Sequence, residues 1–176
     1  MVLPGREETS CGGMAAEMSA LIRFERARIE DADVLTEVQR RAFDDDSRRF
    51  AGQPAGGPPG YDSADWTLWA MKTGIYYKIL AGDQIIGGVI LFDMHKRHFD
   101  LGRIFVDPDW QSRGIGSQAI RFVEKTFRYV KRWSLNTPAW AVRNHHFYEK
   151  LGYVRVGEEI PTGVDKRLYL YEKRMP

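Results

Sequence analysis

The chain is poor in the features that mark several common protein classes. It has one cysteine, Cys11, among 176 residues, which rules out a disulfide framework and a thiolate metal cage. A reducing compartment, the cytoplasm, is the expected setting. Charge is nearly balanced, with 26 Lys and Arg against 24 Asp and Glu for a net +2. That is too little to call for a nucleic-acid partner. No run approaches the roughly 18 consecutive apolar residues of a membrane helix. Glu7 and Glu8 stand early with no apolar stretch around them, which is unlike a secretory signal. The histidines fall as His95 and His98 and as the neighbours His145 and His146, without the partners a metal needs, so no metal is expected.

What is present suits one folded domain. Apolar residues make up 43% and charged residues 28%, a soluble globular composition on a chain long enough to bury a core. Residues 1–18 show no period and are expected to form an unordered tail ahead of a domain over 19–176. Alternation predicts a strand over 20–27. Glu30 and Asp31 then open a helix carrying Val34, Leu35, Val38 and Ala42, which ends near Asp44–Asp46. The segment "AGQPAGGPPG" (51–60) has no regular structure in prospect and is long for a loop. A short helix is expected over 63–72 with Ser63 as its cap.

Strands follow over 76–81, 84–93 (after a Gly82-Asp83 turn) and 98–107. A helix is expected from Ile115 to Val130, then a strand at 133–137. Another helix, 140–151, is stopped by Gly152. Two last strands, 153–160 and 166–173, flank a Pro161-Thr162-Gly163 turn. The order β-α-α-β-β-β-α-β-α-β-β predicts an α/β domain on a mixed sheet.

The chemistry concentrates in "WQSRGIGSQAIRFVE" (110–124). Glycines just ahead of a helix let backbone N–H groups approach a phosphate. The P-loop pattern is absent. Gly114, Gly116 and Ala119 formally match the dinucleotide fingerprint. That fingerprint needs a parallel βαβ unit and an acid at the end of the next strand. Here the next strand is "WSLNT" and the strands before it read as an antiparallel meander. What remains is Q-x-x-G-x-G at Gln111, Gly114 and Gly116. The amides of Gln111, Ser112, Arg113, Gly114, Ile115, Gly116 and Ser117 then converge at the positive end of a helix dipole, with the Arg113 side chain adding a cation.

With "IFVDPDWQSRGIGSQAI" and "FYEKLGYVRVG" in this order, the chain resembles the GCN5-related N-acetyltransferase (GNAT) family over roughly residues 20–174. The resemblance implies a mostly antiparallel central sheet flanked by helices. It implies acetyl-CoA as co-substrate, with its pyrophosphate at 111–117. The acetyl group would go directly to a primary amine of a small molecule or peptide. Ile104, Phe105 and Val106 would bond the pantetheine arm, the Val106 amide would polarise the thioester carbonyl, and Leu135 and Asn136 would form the opposite lip.

Tyr148, in "FYEKLGY", takes the place of the family's acid. Asn144 lies one turn earlier on the same helix face and could touch the cofactor arm. The family often has Asn seven residues before this tyrosine, where this chain has Ala141. Asp100 occupies the place of a base and, by the two-residue period, shares a face with Gly102, Ile104 and Val106. A homodimer is also implied.

Other readings remain open. Asp44–Asp46 is either a solvated helix end or a cation trap at the acceptor mouth, which Tyr61, Trp66 and Trp69 could line. The rival functions are a non-catalytic acyl-CoA sensor of the same fold and, less well supported, a nicotinamide-cofactor protein. Acceptor specificity is expected to reside in 44–72 and 157–165.

Overall fold

A strand that is apolar nearly throughout needs cover on both faces. That is the condition of "QIIGGVILFD", which forms β3 (Gln84–Asp93) at the middle of the domain. A computed structural model describes residues 22–162 and 166–176. The expected tail, Cys11, residues 20 and 21 and Gly163 lie outside the described residues.

The strands are β1 (Ile22–Arg26), β2 (Ile75–Ala81), β3, β4 (His98–Val106), β5 (Arg132–Pro138), β6 (Val154–Glu159) and β7 (Leu168–Arg174). The helices are α1 (Ala32–Asp46), α2 (Ala64–Thr73), α3 (Ile115–Thr126) and α4 (Val142–Lys150). The element order is the expected one. The seven strands form one sheet, ordered β1-β2-β3-β4-β5-β7-β6, antiparallel at every junction except the parallel β4–β5.

Each face carries its own core. On one, Leu35, Val38 and Ala42 of α1 and Ala70 of α2 pack on Tyr76, Ile90 and Phe105. On the other, Ile115, Ala119, Ile120 and Val123 of α3 and Tyr148 of α4 pack on Ile79, Val89, Leu91 and Leu135.

Helix α3 stops at Thr126, short of the expected Val130. Phe127 leaves helical geometry (φ −106°, ψ 54°) and gathers with Tyr129 around the buried Phe99 ring, at centroid distances of 5.1 and 5.9 Å. Packing Phe127 against the start of β4, with Tyr129 edge-on at the surface, takes the place of one more helical turn.

Strand β4 carries a bulge. Ile90 pairs with Arg103 and Leu91 with Leu101, which leaves Gly102 as the extra residue. A Cβ there would stand 2.5 Å from the Phe92 ring, so any other residue would have to displace that ring. The bulge flips the side-chain parity. Ile104 and Val106 join Phe99 and Leu101 on the α3/α4 face, while Phe105 joins the α1/α2 face. Asp100 therefore lies on the face opposite Ile104 and Val106. Plain alternation, which put them together, is overturned by one inserted residue.

The Gly/Pro segment is strapped down by side chains. Asp44 is buried and is neither solvated nor open to a ligand. It accepts from the Gly56 N–H at 3.1 Å and the Tyr61 hydroxyl at 2.7 Å. Ser47 Oγ donates to the Gly56 carbonyl and Gln39 Nε2 to the Tyr61 carbonyl, both at 2.7 Å. From β4, the buried Arg103 donates to the Pro59 carbonyl at 2.5 Å and stacks on Trp66, its guanidinium carbon 3.4 Å from the ring centroid. Burial pulls the Arg103 pKa down to about 10.

Candidate active site

Parallel strands β4 and β5 pair through only three residues, His98–Asp100 with Arg132–Ser134, and then part. Beyond that seam β4 has an unpaired edge. The Asp107 N–H bonds back to the Ile86 carbonyl at 2.7 Å. By strand alternation, the polar backbone groups of Val106 and Ile104 therefore point away from β3, toward the opening. The gap deepens into a cleft of about 240 Å³, lined by α1, the end of β4, the glycine turn and α4.

The glycine turn closes one end of this cleft. Asp107 and Pro108 build a short 3-10 turn, with Asp107 capping the Asp109 N–H at 3.0 Å and pairing with Arg41 at 3.3 Å. The Gln111 amide donates to the Val106 carbonyl at 3.0 Å, which fixes the turn to the end of β4. Gly114, with φ +76°, is left-handed at the N-cap of α3, a conformation that costs other residues about 1–2 kcal/mol. The first bond of α3 runs from Gln118 N–H to the Gly114 carbonyl. The N–H groups of Ile115, Gly116 and Ser117 thus have no partner within the helix, and all three residues line the cleft. A Cβ on Gly116 would come 3.2 Å from the Phe147 ring, so this glycine also lets α3 pack on α4.

Residues 72–155 match the family model described as an acetyltransferase (GNAT) domain. That span is a GNAT acetyltransferase domain. The fold of the chain agrees. The PaiA N-acetyltransferase of Thermoplasma acidophilum, crystallised with coenzyme A, superposes with a TM-score of 0.70 at 19% identity, over 88% of this chain and 99% of that one. The ribosomal-protein-S18-alanine N-acetyltransferase of Escherichia coli gives 0.70 at 15%, over 87% and 93%. In sequence, the uncharacterized protein YrkN of Bacillus subtilis is 29% identical over 80 residues, 45% of this chain. The match spans 43% of that relative's length.

In this GNAT domain most of the expected site residues meet at the cleft. Ile104, Phe105, Val106, Gln111, Ser112, Gly114, Ile115, Gly116, Ser117, Asn144 and Tyr148 all line it. Asn144 Nδ2 donates to Thr137 Oγ1 at 3.2 Å, tying α4 to β5. Tyr148 is 8% exposed. Burial, and secondarily the Asp100 carboxylate, push its pKa up, so the phenol keeps its proton at neutral pH.

Three expected residues stand elsewhere. Arg113 lies outside the cleft lining, donating to the Asp109 carbonyl at 3.0 Å with its guanidinium carbon 5.1 Å from the Trp110 ring centroid. Asn136 is exposed on the β5 lip. Asp100 sits at the closed end of the seam, accepting from Ser134 Oγ at 2.7 Å. Ser134 Oγ also meets His98 Nε2 at 2.8 Å. Burial raises the Asp100 pKa, against the lowering effect of the Ser134 bond.

One charged cleft residue, Arg143, escaped the sequence reading, and another, Asp46, was left open between a solvated helix end and a cation trap. Arg143 bridges, reaching Gln111 Oε1 at 3.3 Å and Asp46 Oδ1 at 3.8 Å. Asp46 lines the cleft beside Ala42, and burial raises its pKa. Its signal was legible: it lies four residues after Ala42, an acid in phase with the apolar stripe of α1. Among the described residues, no three His, Cys, Asp or Glu side chains form a group able to hold a metal ion. Nor is any described helix long and apolar enough to cross a membrane.

Proposed function

We propose that the chain is an acetyl-CoA-dependent N-acetyltransferase acting on a primary amine in the cytoplasm. The observation that carries this is the splayed edge of β4 ending at the unpaired amides of α3. An extended, amide-bearing arm with a pyrophosphate at one end fits that shape: peptide-like groups along Ile104 and Val106, phosphate oxygens at Gly114–Ser117. Acetyl-CoA supplies, when bound, a thioester carbonyl open to attack by an amine.

The chain's own groups then have separable tasks. The Val106 N–H faces the opening and stabilises charge developing on the carbonyl oxygen. Tyr148 gives its proton to the departing sulfur as the carbon–sulfur bond breaks. The amine nitrogen, forming the new carbon–nitrogen bond, loses a proton that is passed on to Asp100, which lies behind the cleft lining and which Ser134 and His98 connect toward the surface. Because burial raises Asp100, the acid limb of kcat/KM should lie above the ordinary carboxylate range, and Asp100→Asn should remove that limb.

The deciding experiment is thermal melting with acetyl-CoA, CoA and NADH in turn. At about 100 times its dissociation constant a ligand adds roughly 2.7 kcal/mol. A rise with both CoA forms and none with NADH supports the reading. CoA release with an amine then separates an enzyme from an acyl-CoA sensor. A flat response to both CoA forms overturns it.

A further inference from the structure

Beside the main cleft lies a second hollow of about 260 Å³. The two share Asp46, Arg143 and Asn144. The second is otherwise lined by Phe50, Trp140, Ala141 and Val142, all apolar. Phe50, Trp140 and Val142 are 44%, 37% and 55% exposed, large apolar surfaces left to water where two clefts meet. Phe50 sits in the π-helical turn Ser47–Ala51 that extends α1, and Trp140 in the connection between β5 and α4.

At the junction, Asp46 Oδ1 is shielded from solvent and accepts no hydrogen bond. Its nearest cation, Arg143, stands 3.8 Å away, beyond hydrogen-bond length. A buried carboxylate oxygen with no donor is costly, and an incoming N⁺–H would relieve it. Arg143 donates to Gln111 and lies over the face of Phe50 at 5.4 Å, so it meets Asp46 only as an ion pair and leaves Oδ1 without a donor.

Resting on the acetyltransferase reading, we propose that this hollow is the acceptor subsite and that it takes an aralkyl primary amine. The ring lies against Phe50 and Trp140, and the ammonium meets Asp46 at the boundary with the main cleft. The hollow falls just below the usual range for drug-sized ligands, which suits one ring on a short arm. Aromatic faces favour a ring over a flexible polyamine, and one carboxylate balances one ammonium. A free aralkylamine and a peptide whose first residue is aromatic present the same chemistry.

The test compares phenethylamine, the amide of Phe-Gly and ethylamine as acceptors, for the wild type, Trp140→Ala, Phe50→Ala and Asp46→Asn. The proposal expects an aromatic acceptor to exceed ethylamine at least tenfold in kcat/KM, with phenethylamine or the dipeptide amide leading according to source. Trp140→Ala and Phe50→Ala should each erode that ratio while the melting shift with acetyl-CoA stays unchanged. Asp46→Asn should lower kcat/KM for every amine. A ratio near one in the wild type, or one that survives both aromatic substitutions, overturns the subsite.

A binding arm keeps the outcome separate from the acetyltransferase reading. Phenethylamine should quench the tryptophan fluorescence of the wild type saturably, and Trp140→Phe should abolish that change. Quenching without any response to acetyl-CoA would retain the hollow as an amine site and sink the acetyltransferase. A melting shift with acetyl-CoA but no quenching would do the reverse.

Discussion

The glycine turn, which lines the cleft, and the strap after α1, which reaches only the neighbouring hollow through Phe50, are built by different means. The glycine turn at 111–117 is made chiefly of backbone: a left-handed glycine and unpaired N–H groups, with Gln111 donating to Val106 and accepting from Arg143. The strap at 47–61 is made of side chains that reach across the fold: Asp44 to Tyr61 and Gly56, Gln39 to Tyr61, Arg103 from β4 to Pro59. A backbone device requires specific residue types at fixed spacing, and so it leaves a motif. A side-chain device can be made by many residues at many distances, and it leaves none. Substitutions in the turn should therefore change cofactor binding, and in the strap acceptor binding.

The largest expected effect lies in the cleft itself, at Tyr148. Tyr148→Phe should cut kcat by roughly 100-fold or more while the melting shift with acetyl-CoA is retained. Loss of both would make the hydroxyl structural.

Next comes the strap. Asp44→Ala strips the Gly56 N–H and the Tyr61 hydroxyl of their acceptor, at a cost of about 1–3 kcal/mol. Melting should fall, cleavage by a nonspecific protease near 51–60 should rise, and the amine KM should climb with the acetyl-CoA dissociation constant unchanged. If acetyl-CoA binding weakens equally, the turn and the strap are not separable.

Gly114→Ala is the converse. It should cost about 1 kcal/mol and weaken acetyl-CoA more than the amine, as calorimetry of each ligand would show.

The smallest effect lies away from both. His95, Lys96 and Arg97 all have positive φ, at 65°, 52° and 62°. Lys96→Gly should raise stability by about 1 kcal/mol or less in urea titration, with kinetics unaltered.

The same contrast explains what could be read beforehand. Element order, the glycine turn and Tyr148 were legible because periodicity and motif spacing are local. The Asp100 face was not, since one bulge at Gly102 reverses parity without disturbing the apolar pattern. Nor was the part Asp44 plays: an acid triplet at a helix end looks solvated until a Gly/Pro segment folds over it. The dinucleotide pattern needs a sharper ground for rejection than sheet polarity. β4, α3 and β5 do form a parallel crossover, and what separates them from that motif is a β5 that ends in Leu135–Pro138 without an acid.

The three-residue seam between β4 and β5 also bears on how the molecule assembles. β1 through β4 join through antiparallel neighbours, and β5, β7 and β6 do likewise. Contacts across the seam are few and need the whole α3 crossover in place, so they are the slow kind to form. This topology predicts two plates that meet late along one short line and share the α3/α4-side core only once they have met. A molecule that bridges both plates acts as a clasp, and refolding in its presence should reach the closed state sooner than refolding without it.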